Sequence, residues 1–503
     1  MSQELRGRSS ETTGVGSANT SGTGRRNGST FAAAEVLARL GSVRAEGRES
    51  GGVAPGSQGS MTPMPHESPE PTALVERMRP YSRTIFGEMS ALATRLGAVN
   101  LGQGFPDDDG PEVVKQAAIE AIRDGRGNQY PPAHGLPELR RAIASHQKRR
   151  YGLELDWQTD VVVATGASGA IAASVLALTE PGDEVVMFDP YFDLYPADIA
   201  LAGATRVTVP LSGPDLRPDP AALAAAITPR TRLLLLNSPH NPTGIVFTRA
   251  ELEAVARVAC EHDLLVIADE AYEHLWFDDN EHVPIATLPG MWERTVTIGS
   301  GGKSFSFTGW KVGWATGPRR LIDAVKVVRQ HLSYVSSGPF QWAIAEGLTL
   351  PDQYFTEFRT SLAARRDLLA TGLANLGMRV LATQGTYFIS TDVTGSPSPD
   401  VTGSPSPDVT GSPSPDVTGS PSPHVTGSPS PHVTGPSFNS GSEFCEWIPQ
   451  HAGVVAIPMS ALSDHPQAEP FVRWAFCKEP GTLREAIARL EVALSRRRQA
   501  RLT

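Results

Sequence analysis

The stretch 160–190, DVVVATGASGAIAASVLALTEPGDEVVMFDP, decides the fold class of this chain. A short apolar, β-branched run is followed by a longer segment with helical character and then by a second apolar run, EVVMF. Runs of this kind are typical of strands that are buried on both faces of a sheet and joined by a crossover helix. The stretch therefore predicts a strand–helix–strand unit of a parallel sheet.

The same alternation continues further along the chain. Strand-like runs occur at 205–211, 232–239, 264–271 and 294–300, and helical segments at 219–228 and 248–263. This pattern predicts an α/β fold with a mostly parallel sheet and helices on both faces. From about residue 320 a long helical stretch leads to MRVLATQGTYFIS (378–390) and FVRWAFCK (471–478), which predicts a smaller α+β domain at the C-terminal side.

Two regions have compositions that do not support a packed core. Residues 1–70 are rich in Gly, Ser, Thr, Pro and Arg, and we expect them to be mostly disordered; Met61 is a second candidate start. The octapeptide DVTGSPSP repeats from Asp392, with His424 and His432 opening the later copies. The repeats are either a partner-binding or metal-binding spacer or a tandem expansion in a surface loop, and the slow rise of loop-closure cost with length favours the second interpretation.

Composition excludes several classes of function. The formal net charge of −10 provides no broad basic field for nucleic acid or anionic lipid. The three cysteines match neither a zinc knuckle nor a disulfide framework, and the acidic run 107–109 lacks matching metal ligands elsewhere. No apolar run approaches the length of a membrane span, which needs about 20 residues. We therefore expect a soluble cytoplasmic protein that binds no metal.

The residues after each predicted strand are the candidates for chemistry, because ligands of such sheets bind outside the carboxyl ends of the strands. These residues are the turn Gly166–Gly169, Asn241, Asp269, Tyr272, Ser300, Lys303 and Lys311. The triplet Gly302-Lys303-Ser304 does not belong to a nucleotide-binding P-loop, since Thr297 stands where that pattern requires glycine. A reactive lysine, a carboxylate, a phenol, an amide and a phosphate cradle together are what a pyridoxal phosphate site requires.

At these residues the sequence resembles a known family. NSPHNPTG (237–244), DEAYEHLWFD (269–278), GKSFSFTGWKVGW (302–314) and VRWAFCK (472–478) are similar to the motifs of fold-type I, class I/II aminotransferases. VNLGQGFPDDDGP (99–111) and NQYPP (128–132) resemble most closely the branch of kynurenine-type, methionine-type and N-succinyldiaminopimelate aminotransferases. Within this branch, the two stretches are most similar in sequence to actinobacterial members of the N-succinyldiaminopimelate type. The resemblance covers roughly 75–391 and 436–495.

The resemblance implies a role for each candidate toward pyridoxal 5'-phosphate. Lys303 would bind the cofactor covalently and carry protons, Asp269 would pair with the pyridine nitrogen, and Tyr272 with Asn241 would bind the ring oxygen. Phe192 would stack on the ring. The phosphate would be held by Ser300, Lys311 and the backbone of Ala167 and Ser168, where relatives often have an acidic or aromatic residue in place of Ser168.

The resemblance also implies the substrate contacts and the assembly. Arg473 would bind the substrate α-carboxylate, assisted by the Gly104 backbone and Asn241. Tyr130 would reach the phosphate bound by a partner subunit, which implies a homodimer with shared sites. The implied domains are an arm at 71–110, a large cofactor-binding domain at 111–320 with a mostly parallel seven-stranded sheet flanked by helices, and a small α+β domain made of 321–391 and 436–503, interrupted by the repeat at 392–435.

These implications predict an aminotransferase that works by a ping-pong route on an L-amino acid and a 2-oxo acid. N-succinyl-LL-2,6-diaminopimelate with 2-oxoglutarate is one expected pair. A kynurenine/glutamine/methionine-type enzyme of broad specificity, or a cysteine-conjugate β-lyase on the same scaffold, is the alternative. A cofactor-binding transcription regulator is disfavoured because residues 1–70 cannot form a winged helix-turn-helix domain.

Overall fold

A computed structural model describes residues 73–395 and 438–502, with side chains described to residue 500. The predictions of disorder for 1–70 and of an extended loop for most of the repeat lie outside these ranges. Among the described residues, no helix combines the length and the apolar character needed to cross a membrane.

The strands alternate with helices as the apolar runs predict. The strands are β1 (Val99–Asn100), β2 (Val161–Thr165), β3 (Glu184–Asp189), β4 (Thr205–Pro210), β5 (Thr231–Asn237), β6 (Leu265–Asp269), β7 (Thr295–Ser300), β8 (Val312–Thr316), β9 (Arg379–Val380), β10 (Phe388–Asp392), β11 (Val454–Val455), β12 (Ile457–Pro458) and β13 (Phe471–Ala475).

The α-helices are α1 (Ile85–Leu96), α2 (Glu112–Arg123), α3 (Pro137–Tyr151), α4 (Gly166–Leu178), α5 (Leu194–Leu201), α6 (Pro220–Ala226), α7 (Arg249–Glu261), α8 (Gly301–Ser304), α9 (Arg319–Ser333), α10 (Gly338–Gly347), α11 (Asp352–Asn375), α12 (Gly441–His451) and α13 (Pro480–Leu502). Short 3₁₀ helices lie at Glu76–Tyr81, Ile285–Thr287, Trp292–Arg294, Thr308–Trp310, Met459–Leu462 and Pro466–Ala468.

The main sheet has seven strands in the order β2-β8-β7-β6-β5-β3-β4, and the α/β class with a mostly parallel sheet is confirmed. Only β8 runs antiparallel to its neighbours, β2 and β7. The apolar runs identify the other six strands, whereas β8 is missed because it follows a glycine- and serine-rich turn. Its two-sided pairing closes the gap between β2 and β7, and it therefore brings the turns after those two strands together.

Both faces of this sheet are buried, as expected for a sheet between two helix layers. On β5, Leu233 and Leu235 pack in one apolar cluster with residues of α4 and α9, while Leu234 and Leu236 pack in another with α7. The alternation follows from the two-residue period of a strand. The continuous apolar sequence of β5 is explained by this double burial.

The C-terminal part has its own four-stranded sheet, in the order β12-β13-β10-β9. Arg473 lies in β13, where it pairs in register with Ser390 of β10 and Ile457 of β12. A separate two-stranded pair joins β1 to β11 in parallel. Through Leu101, whose carbonyl oxygen accepts a hydrogen bond from the Ala475 N–H at 2.6 Å, the segment 101–105 runs along the end of β13.

Candidate active site

A cavity of about 320 Å³ lies at the carboxyl ends of β5, β6 and β7. It brings together almost all residues that the sequence singles out. The predicted residues in its lining are Gly104, Ala167, Ser168, Phe192, Asn241, Asp269, Tyr272, Ser300, Lys303, Lys311 and Arg473. Tyr130 is not among the lining residues of this protomer.

Lys303 projects into the cavity from α8, the single helical turn that follows β7. Its Nζ donates a hydrogen bond to the carbonyl oxygen of Gly104 at 3.0 Å. Burial lowers the pKa of Lys303 to about 8, and the positive charges of Arg473 and Lys311 act in the same direction. Much of the amine is therefore unprotonated slightly above neutral pH, as a nucleophile or general base requires.

The lowered pKa of Lys303 predicts how Lys303→Met changes stability with pH. From about pH 8 to the ordinary pKa of 10.5, the unfolded chain holds the lysine proton more than the folded chain does, so the wild type gains stability as the pH rises. We expect the stability of the variant relative to wild type to be highest at pH 7 and to fall by pH 10. Chemical denaturation of both proteins, each freed of bound small molecules, at pH 7 and at pH 10 measures this difference in stability.

Exposed Lys148 provides the control for that experiment, because its hydrogen bond to Glu154 raises its pKa instead. Its contribution to stability is lost only above the ordinary lysine pKa, so Lys148→Met should show no change between pH 8 and 10. A stability difference for Lys303→Met that stays constant over this range would contradict a lysine with a lowered pKa.

Asp269 ends β6 and is buried beneath the cavity. One carboxylate oxygen accepts a hydrogen bond from the Tyr195 hydroxyl at 2.6 Å, and the other accepts one from the Ala271 N–H at 3.1 Å. Burial raises the pKa of Asp269, while these two hydrogen bonds oppose the rise. The carboxylate is held in one orientation, ready for a cationic or N–H group of a ligand.

The opposite end of the cavity forms a cradle for an anion. Helix α4 begins at Gly166 without a side-chain cap, and Ala167 and Ser168 of its first turn line the cavity. Lys311 Nζ donates to Ser168 Oγ at 2.9 Å. Gly166 has φ 72°, and a Cβ there would lie 3.2 Å from Lys311 Nζ, so a side chain would fill the cradle. Uncapped N–H groups at a helix start and an ammonium group favour a phosphate.

Arg473 is a further charged side chain in the cavity lining. Its guanidinium donates to Asn241 Oδ1 at 2.9 Å and to the Gly102 carbonyl at 2.7 Å, while Nε is buried without a partner. The group lies 3.9 Å from the ring centroid of Phe388 and 4.6 Å from that of Phe86. Burial lowers the pKa of Arg473 to about 10, so the group stays charged at neutral pH.

The charge of the lining selects for anionic ligands. Lys303, Lys311 and Arg473 face the cavity together with one carboxylate, Asp269. Their hydrogen-bond partners are carbonyl, hydroxyl and amide oxygens, and in the described part of the chain none of the three forms an ion pair. Cations without carboxylate partners are costly to bury unless a ligand neutralises them.

Several residues at the site are not identified from the sequence. Tyr195 is part of the motif PGDEVVMFDPYFDLY, but nothing in that text indicates that its hydroxyl reaches Asp269. Asn237 donates to the Asp269 carbonyl at 2.8 Å and accepts from the Asn241 N–H at 2.8 Å, so it fixes the turn between them. Phe86 comes from α1, whose sequence indicates only an amphipathic helix.

Most of the chain is similar to known aminotransferases. The family model described as aminotransferase class I and II matches residues 97–490. A probable N-succinyldiaminopimelate aminotransferase of Mycobacterium tuberculosis is 47% identical over 433 residues, covering 84% of this chain and 99% of that protein. Kynurenine–oxoglutarate transaminase 3 of Mus musculus is 34% identical, covering 81% of this chain and 87% of the relative. The solved structure of the M. tuberculosis N-succinyldiaminopimelate aminotransferase superposes with a TM-score of 0.74, at 47% identity, over 84% of this chain and all of that one.

Proposed function

The chain belongs to the class I and II aminotransferases, and we propose that its cavity binds pyridoxal 5'-phosphate and uses it to transfer amino groups by a ping-pong route. As an aminotransferase, the protein acts on amino acids and 2-oxo acids, and members of its family use this cofactor. The observation that carries the proposal is Lys303, an amine of lowered pKa between an anion cradle and an arginine without a carboxylate partner.

The residues present fit the cofactor. The cradle at the start of α4, with Lys311, Ser168 and Ser300, would hold the phosphate. Asn241 Oδ1 is taken by Arg473, a group that only donates, so the Asn241 amide has its N–H donors left for the ring oxygen. Asp269, fixed by Tyr195, would bind the protonated ring nitrogen, with Tyr272 at the ring oxygen and Phe192 at the ring face.

When bound, the cofactor supplies an electron sink for the bonds at the substrate α-carbon. The chain's own residues supply position and protons. Arg473 binds the α-carboxylate as a two-pronged donor, with the free Nε available as a further donor. Lys303 Nζ would take the α-carbon proton of the amino donor and, in the second half-reaction, would give a proton to the α-carbon of the new amino acid. The first of these steps needs the unprotonated amine.

For the substrate, we propose N-succinyl-LL-2,6-diaminopimelate with 2-oxoglutarate as acceptor. The support is the 47% identity to the M. tuberculosis relative over nearly its whole length. A kynurenine/glutamine/methionine-type specificity is the second candidate, favoured by the aromatic lining from Phe86, Phe105 and Phe388.

Initial rates with a panel of donors test this assignment. N-succinyl-LL-2,6-diaminopimelate, kynurenine, methionine and glutamine are each offered with 2-oxoglutarate, and glutamate is measured. We expect the highest kcat/KM for the succinylated donor. A higher value for kynurenine would support the second candidate, and release of pyruvate and ammonia from cysteine conjugates without acceptor would indicate a β-lyase.

We also propose a cytoplasmic homodimer, with an arm at 71–110, a large domain at 111–320 and a small domain at 321–391 and 436–503. Tyr130 is 78% exposed and makes an edge-to-face contact with Tyr334, at a centroid distance of 5.4 Å. Val327 and Leu332 are exposed nearby in the chain on α9. An exposed aromatic and aliphatic surface of this kind is typical of a subunit interface.

Mixed dimers test whether Tyr130 completes the partner's site. Tyr130→Ala and Lys303→Ala proteins should each be nearly inactive, whereas a dimer with one chain of each type has one site with both residues intact. We expect unfolding and joint refolding of equal amounts to recover about a quarter of wild-type activity, because half of the random dimers are mixed and each carries one of two sites. No recovery in confirmed mixed dimers would contradict a shared site.

Tyr195→Phe tests the support of Asp269. Loss of the hydroxyl removes a hydrogen bond to a buried carboxylate and raises the pKa of Asp269 further above its ordinary value. A hydrogen bond to a charged group contributes about 1.5–3 kcal/mol, so we expect kcat to fall about tenfold or more. Tyr191→Phe, which removes a hydroxyl bound to Asp464 outside the cavity lining, is the matched control and should leave kcat unchanged.

A further inference from the structure

A line of hydrogen-bonded side chains runs through the interior behind Lys303. His146 Nε2 lies 2.9 Å from His274 Nε2, and His274 Nδ1 lies 2.7 Å from Ser304 Oγ. Ser304 Oγ in turn donates to the carbonyl oxygen of Ser300 at 3.1 Å. The side chains of His146, His274 and Ser304 are buried. The line ends at Ser300, which precedes α8, and at Ser304, the last residue of α8.

The proton positions in this line follow from its two ends. A carbonyl oxygen only accepts, so the Ser304 hydroxyl donates to Ser300 and must accept from His274 Nδ1–H. At the other end, Arg149 Nη2 lies 3.4 Å from His146 Nδ1, and arginine only donates, so the proton of neutral His146 is on Nε2. Both ends require His146 Nε2–H to donate to His274 Nε2. Burial supports neutral rings, since it lowers the pKa of His146 to about 3 and the pKa of His274 well below its ordinary value.

The helical turn that this line reaches depends on side-chain contacts. Helix α8 has four residues, too few to be stable alone. The Tyr387 hydroxyl donates to the Lys303 carbonyl at 2.9 Å, and the Tyr354 hydroxyl donates to the Ser304 carbonyl at 3.1 Å. The third such bond runs from the Ser304 hydroxyl to the Ser300 carbonyl, and it forms when His274 Nδ1–H donates to the hydroxyl and leaves the hydroxyl proton for Ser300.

A bound cation is a weaker explanation of the same residues. His146, Glu273 and His274 present ligand atoms within 4.8 Å of one another. However, the two ring nitrogens already bond to each other, and the Tyr151 hydroxyl donates to Glu273 at 2.9 Å. The positive charges of Arg149 and Arg150 act on His146 as well. A divalent ion would have to displace protons and bind beside two guanidinium groups.

We propose that His274, held in one tautomer by His146, is a positioning residue that fixes the Ser300–Ser304 turn and thereby the amine of Lys303. The kinetic part of this inference rests on the proposed aminotransferase reaction. His274 is not among the residues that line the cavity, so its loss should lower kcat and leave KM nearly unchanged.

Two substitutions of His274 separate this role from packing. In His274→Asn, the side-chain amide can occupy the place of Nδ1–H and still donate to Ser304. In His274→Phe, the ring remains next to Phe355, on which His274 stacks at 4.3 Å, but the donor is lost. Since small misplacements of a reacting group cost up to about a hundredfold, we expect His274→Phe to lower kcat by about ten- to a hundredfold. The Asn variant should stay within about threefold of wild type, and KM should change less than threefold in both.

The pH dependence of Lys303 acylation in protein freed of bound small molecules, read by peptide mass spectrometry, provides a second readout that does not need turnover. We expect a midpoint near 8 in the wild type and in His274→Asn, and a shifted midpoint in His274→Phe. If the wild type transfers no amino groups, the proposed function fails, while the acylation profiles still test the positioning role.

Three results would overturn the positioning role. The first is an equal loss of kcat in both folded variants. The second is an unchanged Lys303 midpoint in folded His274→Phe. The third is one tightly bound metal ion per chain that is absent from His146→Ala and whose removal lowers activity.

Discussion

Lys303→Ala should abolish amino transfer, with kcat at least about 10³-fold below wild type, because the variant loses both the covalent attachment point and the proton carrier that we propose for Lys303. The structure gives this expectation a specific basis. The amine follows β7 directly, its Nζ lies 3.0 Å from the Gly104 carbonyl oxygen, and burial lowers its pKa to about 8. No neighbouring group in the cavity lining is placed to replace it, since Lys311 is held at Ser168 in the cradle.

Lys303→Arg separates charge from proton transfer. The guanidinium keeps a positive charge and can donate to Gly104, but it does not lose its proton in the accessible pH range. We expect Lys303→Arg to be as inactive as Lys303→Ala in single-turnover measurements. If either folded variant keeps more than a tenth of wild-type activity, Lys303 is not the catalytic amine.

Arg473→Lys should reduce kcat/KM by about 10²–10³-fold, mainly through a higher KM. Lysine provides a point charge in place of a planar fork and cannot stack between Phe86 and Phe388. It also leaves Asn241 Oδ1 or the Gly102 carbonyl without its buried donor. A site built to bind a charged group rejects a mismatch strongly, because its buried polar atoms are then unpaired.

Arg366→Lys is the matched control for the arginine experiment. Arg366 is also a buried arginine over an aromatic ring, Phe277, but it pairs with Asp278 outside the cavity lining. We expect it to lower thermal stability while kcat/KM for amino acids stays near wild type. If Arg473→Lys behaves in the same way as this control, Arg473 does not bind the substrate carboxylate.

The sequence predicts the sheet well where a strand is buried on both faces, as in β5 and β6. It does not predict β8, although this strand is as long and as buried as β6, because Val312–Thr316 contains Gly313 and directly follows Lys311, which turns the chain with φ 53°. The strand is stable only through antiparallel pairing with β2 and β7, a tertiary effect that no local pattern encodes.

The candidate site divides in the same way. Residues at or just after the ends of strands, such as Asp269 and Lys303, can be found from the pattern and the family motifs. The contacts that orient them come from distant segments: Gly102 meets Arg473, Tyr195 meets Asp269, and His146 meets His274. Side chains separated by many residues become neighbours only through the packing of the sheets, so their partners cannot be read from spacing.

The most direct test of the central claim is the absorbance of the cofactor bound to the purified protein during two half-reactions. An amino donor is added first and 2-oxoglutarate second, with Lys303→Ala in parallel. We expect the donor to shift the absorbance band of the wild type, 2-oxoglutarate to restore the band with release of glutamate, and Lys303→Ala to show no such cycle. A wild-type protein that binds no pyridoxal 5'-phosphate, or whose band never responds to any donor of the panel, would contradict the central claim.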